Sequence, residues 1–148
     1  MSINSVSINN IRGLRQSFTR DEYVSPEVFD HEMQEIFAKR WNFVGRAEQL
    51  NHVGDRLVVE VGNESILIVR NREGELRAYY NVCQHRGSQL CDKSGSGFGA
   101  AITCPYHDWT YNLDGELCSV PEEKREFTGL DKSCLGLKPA SVATWRGM

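Results

Sequence analysis

Residues 82–109 read VCQHRGSQLCDKSGSGFGAAITCPYHDW, and this segment decides the fold. It contains two short motifs that pair a cysteine with a histidine, Cys83-Gln84-His85-Arg86-Gly87 and Cys104-Pro105-Tyr106-His107. Eighteen residues separate His85 from Cys104. Each motif follows a segment that predicts a β-strand, so two loops can bring four potential metal ligands to one point.

Three interpretations of these motifs compete. First, they are buried cysteines beside unrelated histidines, although two such close pairs are unexpected among five cysteines and four histidines. Second, they form a Cys₂His₂ zinc site, although zinc motifs usually leave two to four residues between ligands. Third, they hold a [2Fe–2S] cluster, with two thiolates on one iron and two imidazoles on the other. Gly87 and Pro105 favour the third, because loops that contain them can aim backbone N–H groups at bridging sulfides.

Outward from the motifs, several short runs predict strands, and the first two of them are rich in Val, Ile and Leu. They are Arg56–Val61, Ser65–Arg70, Leu76–Asn81, Ala101–Thr103, Thr110–Asn112, Glu116–Ser119 and Val142–Trp145. Tight-turn sequences separate neighbouring runs, as at Gly62-Asn63 and Asn112-Leu113-Asp114-Gly115. Many short strands with turns at close intervals predict a mainly β protein with antiparallel sheets.

One helix is predicted ahead of the strands, from Ser25 to Arg40. Ser25 is a suitable N-cap, and Pro26 suits the first helical position. The apolar residues of this segment recur along one face, at Phe29, Met33, Ile36 and Phe37. The polar residues 1–20 are expected to form a loosely ordered N-terminal arm.

Composition excludes several classes of protein. A chain of 148 residues suits one domain with its own core, and a net charge of -3 offers no basic surface for nucleic acid. No run approaches the roughly 20 apolar residues that span a membrane, and the first residues lack the apolar core of a signal peptide. An odd number of cysteines argues against a disulfide framework. A cytoplasmic protein is expected.

The segments CQHRGSQL (83–90) and CPYHDWTYNLDGEL (104–117) resemble the Rieske [2Fe–2S] motifs of bacterial ring-hydroxylating oxygenase α subunits. A further segment, residues 35–50 (EIFAKRWNFVGRAEQL), is similar to a segment near the start of that family's domain. The resemblance implies a Rieske fold over residues 21–148, in which two loops form the cluster-binding subdomain and one N-terminal helix, residues 25–40, precedes the sheets.

The resemblance also implies a role for individual residues. Cys83 and Cys104 match the family's thiolate ligands, and His85 and His107 match its imidazole ligands. Residues at neighbouring positions match those that pack around or support the cluster: Arg86, Gly87, Leu90, Tyr106 and Trp109. No catalytic residue is assigned.

Three departures from the family pattern stand out. Asp108 follows the ligand His107 where Gly is usual, and the segment between the motifs is longer by about one or two residues, with the excess expected within residues 94–99. The chain ends at Met148, whereas family members continue into a catalytic domain that holds a second iron with two His and one carboxylate. We therefore expect the chain alone to lack the oxygenase active site.

The function implied by the resemblance is transfer of single electrons. The expected partners are an NAD(P)H-linked reductase or ferredoxin and a mononuclear-iron oxygenase domain, usually of a neighbouring subunit, with no nucleic-acid or membrane partner. The alternatives are a free-standing Rieske-type ferredoxin and a zinc-stabilised interaction module. Respiratory Rieske proteins have a disulfide that braces the cluster and a Ser that donates a hydrogen bond to a bridging sulfide. The corresponding positions here are Ser88, Tyr106 and Trp109. Without the disulfide and with fewer donors to sulfur, a low reduction potential of about −150 mV is predicted.

The remaining motifs have simpler interpretations. Cys91 lies close to the first motif, where a role in supporting the cluster is the less favoured alternative to a purely structural one. Cys118 and Cys134 are expected to be buried thiols. Tyr79 and Tyr80 are expected to pack within a sheet, and Glu122–Glu126 to form a solvated turn or short helix.

Overall fold

The computed structural model describes residues 17–96 and 99–148, so most of the predicted arm lies outside the described residues. The chain forms two compact units, which divide between Arg40 and Trp41, and each is described by itself. Within the described ranges, no helix has both the length and the apolar character needed to cross a membrane.

The first unit contains two short helices in its described part. Helix α1 spans Arg20–Val24, and α2 spans Pro26–Glu32 and continues into a π-helical turn at Met33–Phe37. The Ser25 hydroxyl accepts a hydrogen bond from the Val28 N–H at 3.3 Å, which confirms the predicted N-cap. The predicted helix therefore exists, although it ends at Phe37, and α1 was not expected.

The second unit holds seven strands among the described residues. They are β1 (Arg56–Val61), β2 (Glu64–Arg70), β3 (Leu76–Tyr80), β4 (Ala101–Thr103), β5 (Thr110–Asn112), β6 (Leu117–Ser119) and β7 (Pro139–Ala140). The first sheet has the order β1-β2-β3-β7 and the second has β4-β5-β6, and every pairing is antiparallel. The mainly β, antiparallel prediction is confirmed.

The predicted strand Val142–Trp145 is wrong. The last strand is instead β7, where Pro139 pairs with Tyr79 and Ala140 with Ala78. Farther on, Trp145 and Met148 exchange two backbone hydrogen bonds of 2.8 and 3.0 Å, which closes a tight turn. Residues 141–144, before this turn, form no strand.

The two faces of β2 contribute to two separate cores. Leu67 and Val69 point into the larger core, which also contains buried residues of the second sheet such as Ile102 and Tyr111. Ile66 and Ile68 alternate with them and pack into the smaller core. The larger core also contains Cys83 and Cys104, so the two sheets hold both motif cysteines in one apolar interior.

Cys118 and Cys134 are exposed, contrary to expectation. Leu117 occupies the buried face of β6, and Cys118, the next residue, therefore points outward. Cys134 ends a 3₁₀ turn, Lys132–Cys134, that has no buried residue. Cys91 is buried, and a short helix, α3 (Glu123–Glu126), forms as expected.

Candidate metal centre

Two loops carry the four predicted ligands. Loop 1 (residues 82–90) follows β3 and carries Cys83 and His85, and loop 2 (residues 104–109) joins β4 to β5 and carries Cys104 and His107. The two imidazole rings lie 4.8 Å apart between centroids. The two thiols are close enough for Cys104 to raise the pKa of Cys83. The structure therefore brings the two imidazoles together and the two thiols together, on neighbouring positions of the same two loops.

Loop 1 is held by a pair of backbone hydrogen bonds around its cysteine. The Gly87 N–H donates to the Cys83 carbonyl at 3.0 Å, and the Cys83 N–H donates to the Ser88 carbonyl at 2.8 Å. Gly87 has a φ of 71°, in the left-handed region that glycine adopts without steric cost. This turn accounts for the predicted importance of Gly87.

Loop 2 has the same pair of backbone hydrogen bonds around its cysteine. The Asp108 N–H donates to the Cys104 carbonyl at 3.1 Å, and the Cys104 N–H donates to the Trp109 carbonyl at 2.9 Å. Asp108, like Gly87, is the fourth residue after its cysteine, and its φ of 55° is also left-handed. The backbone therefore explains why Gly is expected at position 108: Asp108 adopts a conformation in which a Cβ is unfavourable.

Both cysteines are almost completely buried, each 2% exposed. Burial raises the pKa of the Cys83 thiol, and a hydrogen bond from the Tyr111 hydroxyl, 3.3 Å from Cys83 Sγ, opposes that rise. A buried pair of thiols is unfavourable as two free thiolates, but coordination to a cation deprotonates thiols and offsets the cost of burial.

His85 lies within an aromatic enclosure. Its ring stacks on that of Trp109 at 4.7 Å with an interplanar angle of 7°, and Phe127 contacts both rings edge-on at 6.1 Å. Burial lowers the pKa of His85, and the nearby His107 and Arg86 lower it further. A neutral imidazole is the form that binds metal.

His107 has an unsatisfied nitrogen. Its Nδ1 atom is buried and has no hydrogen-bond partner among the described residues. The ring of the exposed Tyr106 covers its other side, with centroids 3.8 Å apart. Because a buried polar atom without a partner is costly, Nδ1 fits a metal ligand whose bond is supplied by the metal.

The donor set fits a two-metal cluster better than a single ion. The His85 and His107 rings form one close pair, and the Cys83 and Cys104 thiols form another. A tetrahedral zinc site would require four ligands around one point. A Rieske cluster requires only two protein ligands on each iron, thiolates on one and imidazoles on the other, which is how these residues are paired.

The predicted supporting residues differ in what they contact. Leu90 and Trp109 are each 4% exposed and pack in the larger core. Tyr106 is exposed and contacts His107, and Arg86 is exposed near His85. Gly87 provides the left-handed turn.

Sequence reasoning missed two residues of the site, Tyr111 and Phe127. Tyr111 was assigned only to a strand, yet its hydroxyl reaches both Cys83 and the Gln84 N–H. The alternation of buried Trp109, Tyr111 and Leu113 would have indicated that Tyr111 points inward. No sequence signal marks Phe127, whose contacts with the site depend on tertiary structure.

Comparison with protein families matches residues 40–145 to the family described as the Rieske [2Fe-2S] domain. The chain belongs to this family. The protein accordingly binds a Rieske-type [2Fe–2S] cluster, and electron transfer is the role consistent with the family.

This Rieske domain is similar to parts of larger oxygenase subunits. It is 42% identical over 120 residues to the glycine betaine monooxygenase oxygenase subunit of Chromohalobacter salexigens, covering 81% of the chain and 26% of that relative. It is 35% identical over 126 residues to the biphenyl 2,3-dioxygenase subunit alpha of Rhodococcus jostii, covering 85% of the chain and 27% of the relative. The chain thus spans about a quarter of the length of these relatives.

The fold also matches a solved relative. A quaternary ammonium Rieske monooxygenase, whose structure is described as giving insights into carnitine oxidation and inter-subunit electron transfer, superposes with a TM-score of 0.81 at 38% identity. The match covers 88% of this chain and 35% of the other. The predicted Rieske fold is therefore confirmed.

Proposed function

We propose that Cys83 and Cys104 bind one iron of the cluster, that His85 and His107 bind the other, and that the domain carries single electrons. The observation that carries the assignment is the convergence of two buried thiols and two imidazoles on two loops of the same backbone frame. The buried Nδ1 of His107, which has no hydrogen-bond partner within residues 17–96 and 99–148, supports it independently.

The two sides of this site differ in their exposure to solvent. The cluster supplies one-electron chemistry when bound. On the inner side, Cys83 and Cys104 sit in the apolar core, which excludes water. On the outer side, His85 and His107 are half-buried, and Tyr106 beside them is 61% exposed. A redox partner therefore approaches from the imidazole side.

The ligand set places the potential above that of a four-cysteine cluster, and the residues around it, Ser88, Tyr106 and Trp109, are the basis for a value at the low end of the Rieske range. The charges of two ferric ions, two sulfides and two thiolates cancel, so electron entry is easier than in a four-cysteine cluster. We keep the prediction of about −150 mV, at the low end for Rieske centres. Such a potential suits electrons from an NAD(P)H-linked reductase or ferredoxin.

The acceptor we propose is the mononuclear iron of an oxygenase catalytic domain, usually in a neighbouring subunit. The support is that the relatives are oxygenase subunits, and that one solved relative is described in terms of inter-subunit electron transfer.

We further propose that the domain works in a reducing compartment such as the cytoplasm. The five cysteines lie within the described ranges, and none of them forms a disulfide there. Exposed thiols such as those of Cys118 and Cys134 persist where glutathione and thioredoxin keep them reduced.

Anaerobic purification of the 148-residue chain tests the ligand assignment. We expect iron and acid-labile sulfide in equal amounts and a rhombic electron paramagnetic resonance (EPR) signal after reduction. Cys83→Ser and His107→Ala should each abolish that signal, whereas Cys118→Ser, at an exposed cysteine outside the loops, should leave it unchanged. A folded, colourless chain that contains zinc and no sulfide would refute the proposal.

Electron transfer is tested with the same preparation. An NAD(P)H-linked reductase, with or without a ferredoxin, should bleach the visible spectrum of the oxidised chain under anaerobic conditions. A cluster that dithionite reduces but that no such reductase system reduces would contradict the proposed donor.

A further inference from the structure

Asn81 connects the end of β3 to both ends of loop 1. It is the first residue after the strand, lies two positions before Cys83 and is 1% exposed. Its backbone N–H donates to the Ser65 carbonyl at 2.9 Å, and its carbonyl accepts from the Leu90 N–H at 3.3 Å. The backbone of Asn81 thus pairs with the sheet on one side and with the exit of loop 1 on the other.

The side-chain amide of Asn81 adds a second set of bonds to that exit. Its Oδ1 accepts from the Cys91 N–H at 3.0 Å, and its Nδ2 donates to the Cys91 carbonyl at 2.7 Å. Nδ2 also donates to the Ser65 hydroxyl at 3.3 Å. The amide therefore pairs with both backbone polar groups of Cys91, as an adjacent strand would.

The two loops differ in what closes them. Loop 2 is closed by regular β pairing, because the residues that flank it, Thr103 of β4 and Thr110 of β5, lie opposite each other in the sheet. Loop 1 has only an isolated bridge between Val82 and Gln89 at the corresponding place. Beyond this bridge, the bonds of Asn81 to residues 90 and 91 are what hold the exit of loop 1 beside its entry.

From this geometry we infer that Asn81 is a positioning residue for the metal centre. It fixes the ends of loop 1, and through them the placement of Cys83 and His85 relative to the ligands of loop 2. The inference rests on the proposed assignment of Cys83 and His85 as ligands. It adds to that assignment a residue that touches neither ligand side chain and acts through the backbone.

Replacement of Asn81 has a definite physical consequence. Asn81→Ala removes the acceptor of the buried Cys91 N–H and one of the two donors to the Cys91 carbonyl, which keeps only the bond from Gln89 Nε2 at 3.1 Å among the described residues, so loop 1 can relax away from loop 2. Asn81→Asp has nearly the same shape and keeps the acceptor for the Cys91 N–H. It loses the donor and places a carboxylate oxygen against the Cys91 carbonyl, so it should weaken the same closure.

Asn71 provides a matched control. It is also the first residue after a strand, β2, and is 0% exposed. Its Oδ1 accepts from the Glu75 N–H at 2.7 Å, and its Nδ2 donates to Asp114 at 2.9 Å. Asn71→Ala therefore removes an equally buried amide from a turn that carries no proposed ligand.

The experiment compares four forms of the 148-residue chain purified anaerobically: the natural sequence, Asn81→Ala, Asn81→Asp and Asn71→Ala. The readouts are the EPR g-values of the reduced protein, the reduction potential and the rate at which a chelator removes iron. We expect both Asn81 variants to lose iron about tenfold faster than the natural chain and to show shifted g-values. Asn71→Ala should lower the unfolding temperature without changing the g-values.

The outcomes separate the two proposals. If Asn81→Asp folds and keeps the g-values, potential and rate of iron loss of the natural chain, Asn81 is not a positioning residue. The same conclusion follows if Asn71→Ala changes the three readouts as much as the Asn81 variants do. The ligand assignment is decided separately, since it falls if Cys83→Ser keeps the EPR signal of the natural chain, and the role of Asn81 then falls with it.

Discussion

The Tyr111 hydroxyl lies 3.3 Å from Cys83 Sγ and accepts a hydrogen bond from the Gln84 N–H at 3.1 Å. Because the oxygen already accepts from Gln84, its own proton is free to point at the sulfur. Tyr111 is fully buried, so water does not compete for that bond. In the proposed centre this is a hydrogen bond from a neutral donor to a thiolate that ligates iron.

Tyr111→Phe should lower the reduction potential by tens of millivolts. A hydrogen bond to the ligand sulfur stabilises the reduced cluster, which carries more negative charge, more than the oxidised cluster, and a preference on the order of 1 kcal/mol corresponds to about 40 mV for one electron. Redox titration measures the change. Tyr80→Phe, at an exposed position of β3, is the control and should leave the potential unchanged. An unaltered potential in Tyr111→Phe would show that the bond does not distinguish the two redox states.

Two substitutions of Asp108 should separate a backbone effect from a charge effect. Asp108→Gly removes the Cβ from a residue with a φ of 55° and should raise the free energy of unfolding by about 1 kcal/mol. Asp108→Asn keeps the Cβ and removes the exposed charge beside His107, so it should raise the potential with little effect on stability. Chemical denaturation and redox titration of both variants test this, and equal stability of Asp108→Gly and the natural chain would contradict the backbone argument.

The candidate ligands and most strands could be predicted because their signals are local. Cys83 and His85 lie within three residues of sequence, and β1 to β6 are short runs that lie close to turn sequences. The unpredicted features depend on distant residues. The two-residue strand β7 exists only because Pro139 and Ala140 meet β3, and the exposure of Cys118 depends on which face of β6 the core covers.

The supporting contacts of the site were also beyond sequence patterns. Asn81 pairs with Cys91, ten residues away, and Tyr111 bonds to Cys83 across 28 residues. Such pairs share no period or spacing, because their partners are chosen by the packing of the two loops on the sheets. The motif therefore predicts which residues are the candidate ligands, but not which residues contact the two loops that carry them.

Gly115→Ala should destabilise the domain much more than Gly74→Ala. Both glycines have a left-handed φ, 84° and 81°, so both alanine variants incur the same backbone cost of about 1 kcal/mol. A Cβ at Gly115 would also lie 2.6 Å from the Tyr79 ring, whereas one at Gly74 would meet nothing within 4 Å. Overpacking should bring the loss for Gly115→Ala to about 3 kcal/mol by chemical denaturation. Equal losses would mean that the Tyr79 ring moves aside freely.

Tyr79 should make the domain sensitive to alkali. Burial, with a contribution from the Asp114 carboxylate, raises the pKa of Tyr79 to about 12, and its hydroxyl donates to the Leu113 carbonyl at 3.0 Å. Below pH 10 the phenol is neutral in the folded and unfolded states, so stability does not change with this group. Between about pH 10 and pH 12 the unfolded state loses the proton first, and stability falls as the pH rises, by about 2–3 kcal/mol in all.

Tyr79→Phe isolates that contribution. At pH 8 the variant should be less stable by about 1–3 kcal/mol, because the buried Leu113 carbonyl loses its donor. Its stability should then decline less steeply than that of the natural chain above pH 10, since it has no phenol to ionise at this site. Denaturation curves of both proteins at pH 8, 10 and 11 give the two slopes. Parallel declines would show that Tyr79 ionises as readily in the folded domain as in the unfolded chain.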